Sequence, residues 1–507
     1  MSNANNKKRV AIIGGGVSGL AAAYQLKKLG HDFVVFEAAH HCGGNARTFP
    51  VTVGGMSRWA DLGVNDFNAK TYKNLVAVFE QLGVDHRKLL DYSSFSYISD
   101  PDKPVSAKVP KGYVVDGFWN EVNPFIQGQL HLFQDQCTQF WQKIDEEPYR
   151  HMTVERFVQQ AGLDEGFAYG NLYPRIVGMY YTSGIDPKKA PLRAILHYYH
   201  MQEGLGDPGK PEPDRRYFVG GASSWIAKLV DYLDPGNREG RIRTRQKVRF
   251  SRRLDGSFQV TGDEKPFTHV VMALQAREVI SAFANPRDIP EGLADLMAKF
   301  KYAYDSVYVH TDPSVLPRDV NLWCSYNINI PPRDREHNAY TITYCVNQHQ
   351  NDPSNPDYAQ WMSQYGKHGS LPQYFVTINP VNPVSDTSIL VPGPFRDPLA
   401  AIPPQENTPM RPCTMFKFYH QIIDMDAMDA QDQEIPNYQG VQNIWYVGGY
   451  TLGAGLHEEC WITGVNVANS IDSPKHVNVD RYDFTKKGLE ALPAYMRKII
   501  ANRVASA

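Results

Sequence analysis

Three glycines carry the first legible chemistry in the chain. Gly14, Gly16 and Gly19 stand in GxGxxG spacing around Val17 and Ser18, and Glu37 follows 23 residues after Gly14. The glycines permit a tight turn and close backbone approach to a pyrophosphate, which sits on the helix N-terminus. Glu37 can accept hydrogen bonds from adenosine ribose hydroxyls. Ala38, and not an arginine, comes next, so a 2′-phosphate is disfavoured. These residues need elements to hold them. Residues 8–13 (KRVAII) read as a buried strand, and LAAAYQLKKLG as a helix with Leu20, Ala23, Leu26 and Leu29 at helical spacing, ended by Gly30. Residues 32–37 (DFVVFE) read as a second strand, which completes a βαβ unit and implies a parallel sheet. The GLGDPG segment at 204–209 has the same glycine spacing but lacks both strand and helix, and reads as a loop.

A second glycine turn, Gly43-Gly44-Asn45-Ala46-Arg47, follows the second strand. It suits a long, bent cofactor whose phosphates and ribityl chain need further partners, hence FAD more than a nicotinamide dinucleotide. Residues 71–83 read as a helix with Thr71 as N-cap, and 115–205 as aromatic and mostly helical. Asp255-Gly256 reads as a hairpin turn, THVVMAL (268–274) as a return to a buried strand, and 301–395 as strand-rich. Near the end, NIWYVGGY reads as a strand into a glycine turn, Trp461 to Ile471 as a helix, and the last 24 residues as a basic amphipathic helix.

The pair GxGxxG…Glu37 and GGxxR resembles the amine oxidase and phytoene desaturase-like superfamily of FAD enzymes. Tyr446-Val447-Gly448-Gly449-Tyr450 and Leu456-His457-Glu458-Glu459-Cys460-Trp461 resemble its C-terminal motif. Residues 61–84, 218–229, 310–327, 375–380 and 455–468 look like a bacterial branch described as predicted FAD/NAD-binding oxidoreductases, a likeness that runs to about residue 475. The resemblance implies that the helix after the VGGY turn points its N-terminus at the pyrimidine side of a flavin. His457, placed in the turn before that helix, would then face the ring or the substrate. The implied cofactor set is Gly14, Gly16, Val17, Ser18, Gly19, Glu37, Ala38, Gly43, Gly44, Asn45, Arg47, Val248, Gly449, Tyr450, His457, Glu459 and Cys460, with His457 and Tyr450 as catalytic candidates. Cys460 stands where the branch usually has glycine, and its place in the first helical turn favours a non-covalent flavin. Amine oxidases of the superfamily generally carry a lysine near flavin N5; here Ser306 falls nearest that place, with Lys417 the other candidate.

Composition narrows the rest. With 52 basic and 54 acidic residues in 507, no global positive field would hold nucleic acid. The six cysteines form no CxxC pair, so a zinc site or disulfide framework is not expected. His40-His41 and His197/His200 lack acidic partners at helical spacing, and no metal is expected. No run approaches a membrane span, and the expected location is cytoplasmic, with peripheral membrane contact through the basic tail as an option. The expected fold is α/β, with a discontinuous Rossmann-type FAD domain (6–92, 216–292 and 440–474). A second, α+β substrate domain would comprise 93–215 and 293–439, with a tail helix at 475–507. The expected reaction is removal of hydride from an apolar or lipid-like small molecule to form C=C. Amine or amino-acid oxidation and double-bond isomerisation are the alternatives.

Overall fold

The structure is a computed structural model. It describes residues 7–53, 56–89, 94–98, 114–116, 120–121, 124–180, 186–203, 213–316, 323–330, 341–350, 374–380, 383–385 and 416–472. The glycine-spaced loop at 204–209 and the tail helix lie outside the described residues.

In chain order, the elements that build the site are β1 (Arg9–Ile13), α1 (Val17–Lys28), β2 (Asp32–Phe36), α2 (Lys73–Leu82), α3 (Leu192–Glu203) and β3 (Ile242–Arg243). They continue with β4 (His269–Met272), β5 (Tyr302–His310), β6 (Phe375–Ile378), β7 (Phe416–Gln421), β8 (Ile444–Tyr446) and α4 (His457–Asp472). A five-stranded sheet has the order β3-β2-β1-β4-β8, all parallel. Both its faces are covered, which is why β1 and β2 are continuous apolar runs. Val10 and Ile12 pack into one core with α1, α2 and α4, whereas Ala11 and Ile13 enter a second core with Phe250, Phe258 and Phe283.

β1 is central, with β2 on one side and β4 on the other. This is the topological switch point, whose crevice lies at the C-terminal strand ends. The close crossing of α1 and α4 over that crevice depends on one glycine. A Cβ on Gly464 would lie 2.1 Å from the Ser18 carbonyl oxygen.

The second body is a mixed eight-stranded sheet beginning β7-β5-β6 and continuing through Thr341–Cys345, Tyr326–Ile330, Ser94–Ile98, Val114–Asp116 and Asn120–Glu121. Residues 94–121 therefore contribute three strands, and the helical stretch begins later, at Pro124. Helices between 124 and 203 share an aromatic core that includes Phe133, Phe157 and Tyr199. The hairpin at Asp255-Gly256 joins Phe250–Arg252 to Phe258–Val260, with Gly256 at φ +82°. Thr71 is not the cap of α2: the helix starts at Lys73, and the Thr71 hydroxyl donates to Met201 and Asn68 carbonyls instead. α4 starts at His457, four residues before the expected start, because Glu459 reaches back to accept from the Leu456 N–H at 2.9 Å.

Candidate active site

The crevice opens into a cavity of about 440 Å³ that begins at the glycine loops and ends between the two bodies. The three fingerprint glycines serve different ends. A Cβ at Gly14 would meet the Ala273 carbonyl oxygen at 2.1 Å, and one at Gly19 would meet the Gly14 carbonyl oxygen at 2.1 Å. Gly16 has an ordinary φ of −71° and nothing within 4 Å of an added Cβ. Glycine at 16 is thus needed neither for conformation nor for protein packing. The space it leaves is cavity, at the N-terminus of a helix with no side-chain cap. A pyrophosphate is the group that such an uncapped, open helix end accommodates.

The second glycine turn is bonded to the first. Gly43 N–H donates to the Gly15 carbonyl at 2.8 Å, and Gly43 and Gly16 form a bridge. Glu37 is fixed by two backbone donors, Gly15 N–H to Oε2 at 2.8 Å and Ala39 N–H to Oε1 at 2.7 Å. Each oxygen keeps a lone pair for a ribose hydroxyl.

Of the residues expected at the cofactor, Gly14, Gly16, Val17, Ser18, Glu37, Gly43, Gly44, Asn45, Gly449, Tyr450, His457 and Cys460 line this cavity. Gly19, Ala38, Arg47, Val248 and Glu459 do not. Gly19 acts through packing, and Arg47 donates to the Gly44 carbonyl with its guanidinium 5.6 Å from the Phe418 ring centre. Val248 belongs to the core on the other face of the sheet. Glu459 is fully buried, with one oxygen on the Leu456 N–H and the other on His197 Nε2. Its carboxylate thus occupies part of the α4 N-terminus that the resemblance assigns to the flavin.

His457 is buried, with its ring 5.7 Å from that of Trp225, and its Nδ1 has no partner among the described residues. Burial pushes its pKa down to about 4, so the imidazole is neutral near pH 7. Tyr450 packs edge-on against Phe300 at 5.1 Å. Cys460 borders the cavity, and burial pushes its thiol up to about 12, which suppresses the thiolate that a covalent link would need.

The far end of the cavity is lined by Asn65, Asp66, Tyr72, Tyr198, Gln202 and Arg215, all polar. Arg215 binds Asp66 through two nitrogens, at 2.6 and 3.2 Å, and donates to the Tyr326 hydroxyl at 2.7 Å. Arg215 also lies 3.5 Å from Glu203, which lies 3.4 Å from Arg175. Charge at this end is therefore compensated within the protein, which gives the cavity a polar end beyond its apolar lining. Sequence reasoning missed this end because its residues come from separate segments with no shared spacing. It also missed His420, which borders the cavity from β7. Ser306 pairs with Lys417 in the register of β5 and β7 and does not line the cavity, and no lysine does among the described residues.

Comparison with known proteins agrees with this architecture. Residues 12–82 match the model of the NAD(P)-binding Rossmann-like domain. An L-amino-acid oxidase of Bothrops jararacussu is 47% identical over 49 residues, 10% of either chain, so the chain spans about a tenth of the length of the curated relatives it matches. A putrescine oxidase structure superimposes with a TM-score of 0.60 at 14% identity, covering 92% of this chain and 99% of the other. A fatty acid isomerase from P. acnes gives 0.56 at 13% identity over 92% and 99%. The overall fold is that shared by the putrescine oxidase and fatty acid isomerase structures, with a Rossmann-like nucleotide-binding body.

Proposed function

We propose that the chain is an FAD-dependent oxidoreductase that removes hydride from a substrate carbon. The observation that carries this reading is the continuity of the cavity. It runs from the open Gly16 position, past Gly449 and His457, to the polar end at Tyr72, Gln202 and Arg215. Gly16, Val17, Gly43 and Gly44 would hold the pyrophosphate, Glu37 the adenosine ribose, and Gly449 with the start of α4 the flavin half. Bound FAD would supply the hydride acceptor. The suppressed Cys460 thiol supports a non-covalent cofactor.

Among the reactions open to this fold, dehydrogenation of a C–C bond is best supported. No lysine lines the cavity among the described residues, whereas two histidines, His420 and His457, do. The substrate we infer is a small molecule with an apolar body beside Leu274, Tyr302 and Leu456. It would carry a polar, uncharged or zwitterionic group at the compensated Asp66/Arg215 end. Amine or amino-acid oxidation is the second reading, favoured by the local likeness to an L-amino-acid oxidase; isomerisation of a double bond is the third.

Anaerobic mixing of the yellow protein with each class separates the readings. Bleaching by compounds with an activated C–C bond supports the first. Bleaching by amines or amino acids alone overturns it in favour of the second. Turnover without net bleaching overturns it in favour of the third.

A further inference from the structure

A second constellation borders the cavity from the strand side. Asp305 on β5 has no solvent exposure, and its two oxygens are both engaged. Oδ2 lies 2.6 Å from His420 Nδ1 on β7, and Oδ1 accepts from the Asn379 amide at 2.6 Å. Asn379, just past β6, is held from both sides: Ser306 N–H donates to its side-chain oxygen at 2.9 Å, and its own N–H donates to the Ser306 carbonyl at 2.9 Å. It adopts φ +49°, a conformation that asparagine tolerates better than most residues. Three adjacent strands thus fix one carboxylate against one imidazole.

The register explains the pairing. Asp305 sits opposite Phe418 in the antiparallel ladder, and His420 lies two residues on, so Asp305 and His420 share a face of the sheet. That face turns toward the nucleotide-binding body, where Phe418 lies under Arg47. Ser306 falls on the opposite face by the same alternation. His420 is the member that reaches the cavity wall, with 17% of its side chain accessible. A carboxylate accepting at Nδ1 fixes the Nδ1–H tautomer and leaves the acceptor position on Nε2. It also stabilises the imidazolium formed if that nitrogen takes a proton.

We infer that His420 is the proton acceptor of the cavity, with Asp305 and Asn379 as positioning residues, and that the substrate carries a removable proton beside the carbon that loses hydride. This rests on the oxidoreductase reading above, whose flavin is the oxidant. With FAD bound, the cofactor would supply the hydride acceptor, and the proton on the neighbouring carbon would pass to His420 Nε2. The electron pair of that second C–H bond becomes the new π bond. The two electrons lost by the substrate would be those of the hydride taken by FAD, and the imidazole would gain one positive charge.

Diethyl pyrocarbonate tests the assignment on the full-length protein as purified, because it acylates an accessible, unprotonated imidazole nitrogen. Peptide mass mapping should find the ethoxycarbonyl group on His420. Asp305→Asn lets the ring adopt the other tautomer, and should slow that modification by at least about tenfold. The exposed His40 and His151 should keep their rates. An inert His420 beside reactive His40 and His151 overturns the proposal, and so does an unchanged rate in the variant. Should Asp305→Asn fail to fold, ¹⁵N spectra of wild-type histidines decide. A neutral Nδ1–H form at His420 supports the assignment, and an Nε2–H form overturns it. Flavin content of the same samples keeps the two readings apart: reactive His420 without flavin defeats only the oxidoreductase reading, and bound flavin with inert His420 defeats only this one.

Discussion

Glu458 lies with its carboxylate over the N-terminus of α2, where it accepts from the Asn74 backbone N–H at 2.8 Å; its second oxygen accepts from the Leu75 N–H at 2.9 Å. The first turn of α4 thereby caps another helix. Full burial costs the ionised form more than these donors return, and the pKa is pushed up to about 7 from 4.5.

A raised folded pKa fixes the sign of the pH dependence. The stabilisation is fully present below the unfolded value near 4.5 and is lost as pH rises through about 7. The limit is on the order of 3 kcal/mol. Glu458→Gln, which cannot ionise, should be less stable than wild type near pH 5, with the gap narrowing toward pH 7. Urea unfolding across that range measures it. Asp61, also pushed up to about 7 by burial, should leave a residual slope of the same sign in the variant. An unchanged gap would show that Glu458 does not titrate in this window.

Two glycines should respond in opposite ways. Gly464→Ala drives a methyl into the Ser18 carbonyl and the Ala21 side chain, and should cost about 1–3 kcal/mol through overpacking. Gly16→Ala meets no protein atom within 4 Å, so its melting temperature without cofactor should barely move while flavin content falls. Thermal melts of flavin-stripped protein, with absorbance of the loaded form, separate the two effects. A strongly destabilised Gly16→Ala would show that Gly16 serves the fold and not the ligand.

Legibility followed the range over which each signal acts. The glycine loop, β1, α1, β2 and Glu37 were readable because one contiguous stretch holds both the spacing and the elements that use it. The strands at Tyr302–His310, Thr341–Cys345 and Phe375–Ile378 were readable from their β-branched and aromatic runs. The Asp305–His420 pair was not, since it joins residues 115 apart through a strand register that no local pattern encodes. A one-residue step along β5 separates Ser306, the position singled out from the sequence, from Asp305, and in a strand that step reverses the face. Arg215, Tyr72 and Gln202 meet only through tertiary packing.

Glu37→Arg should weaken FAD binding by removing the acceptors for two ribose hydroxyls, at roughly 1.5–3 kcal/mol for each charged hydrogen bond lost. It also removes the bonds from Gly15 and Ala39, so Glu37→Gln is the milder control. Equilibrium dialysis against FAD reads the loss. Unchanged affinity in both variants would place the ribose elsewhere.

His457→Ala should slow flavin reduction while FAD stays bound. Removing one preorganised donor at a reacting group typically costs on the order of 10²–10³ in rate. Stopped-flow reduction by whichever donor class bleaches the wild type provides the measurement. A variant with full rate and a lower melting temperature would make His457 a brace between α4 and Trp225.

The most direct test of the account is the absorbance of the purified chain before and after heat denaturation. A non-covalent FAD site gives a flavin spectrum in the folded protein, and release of all the yellow colour into the supernatant as FAD in a stoichiometric amount. A colourless protein that also fails to take up added FAD would contradict the cofactor assignment. Colour retained on the precipitated chain would contradict the non-covalent site, with Cys460 the first residue to map.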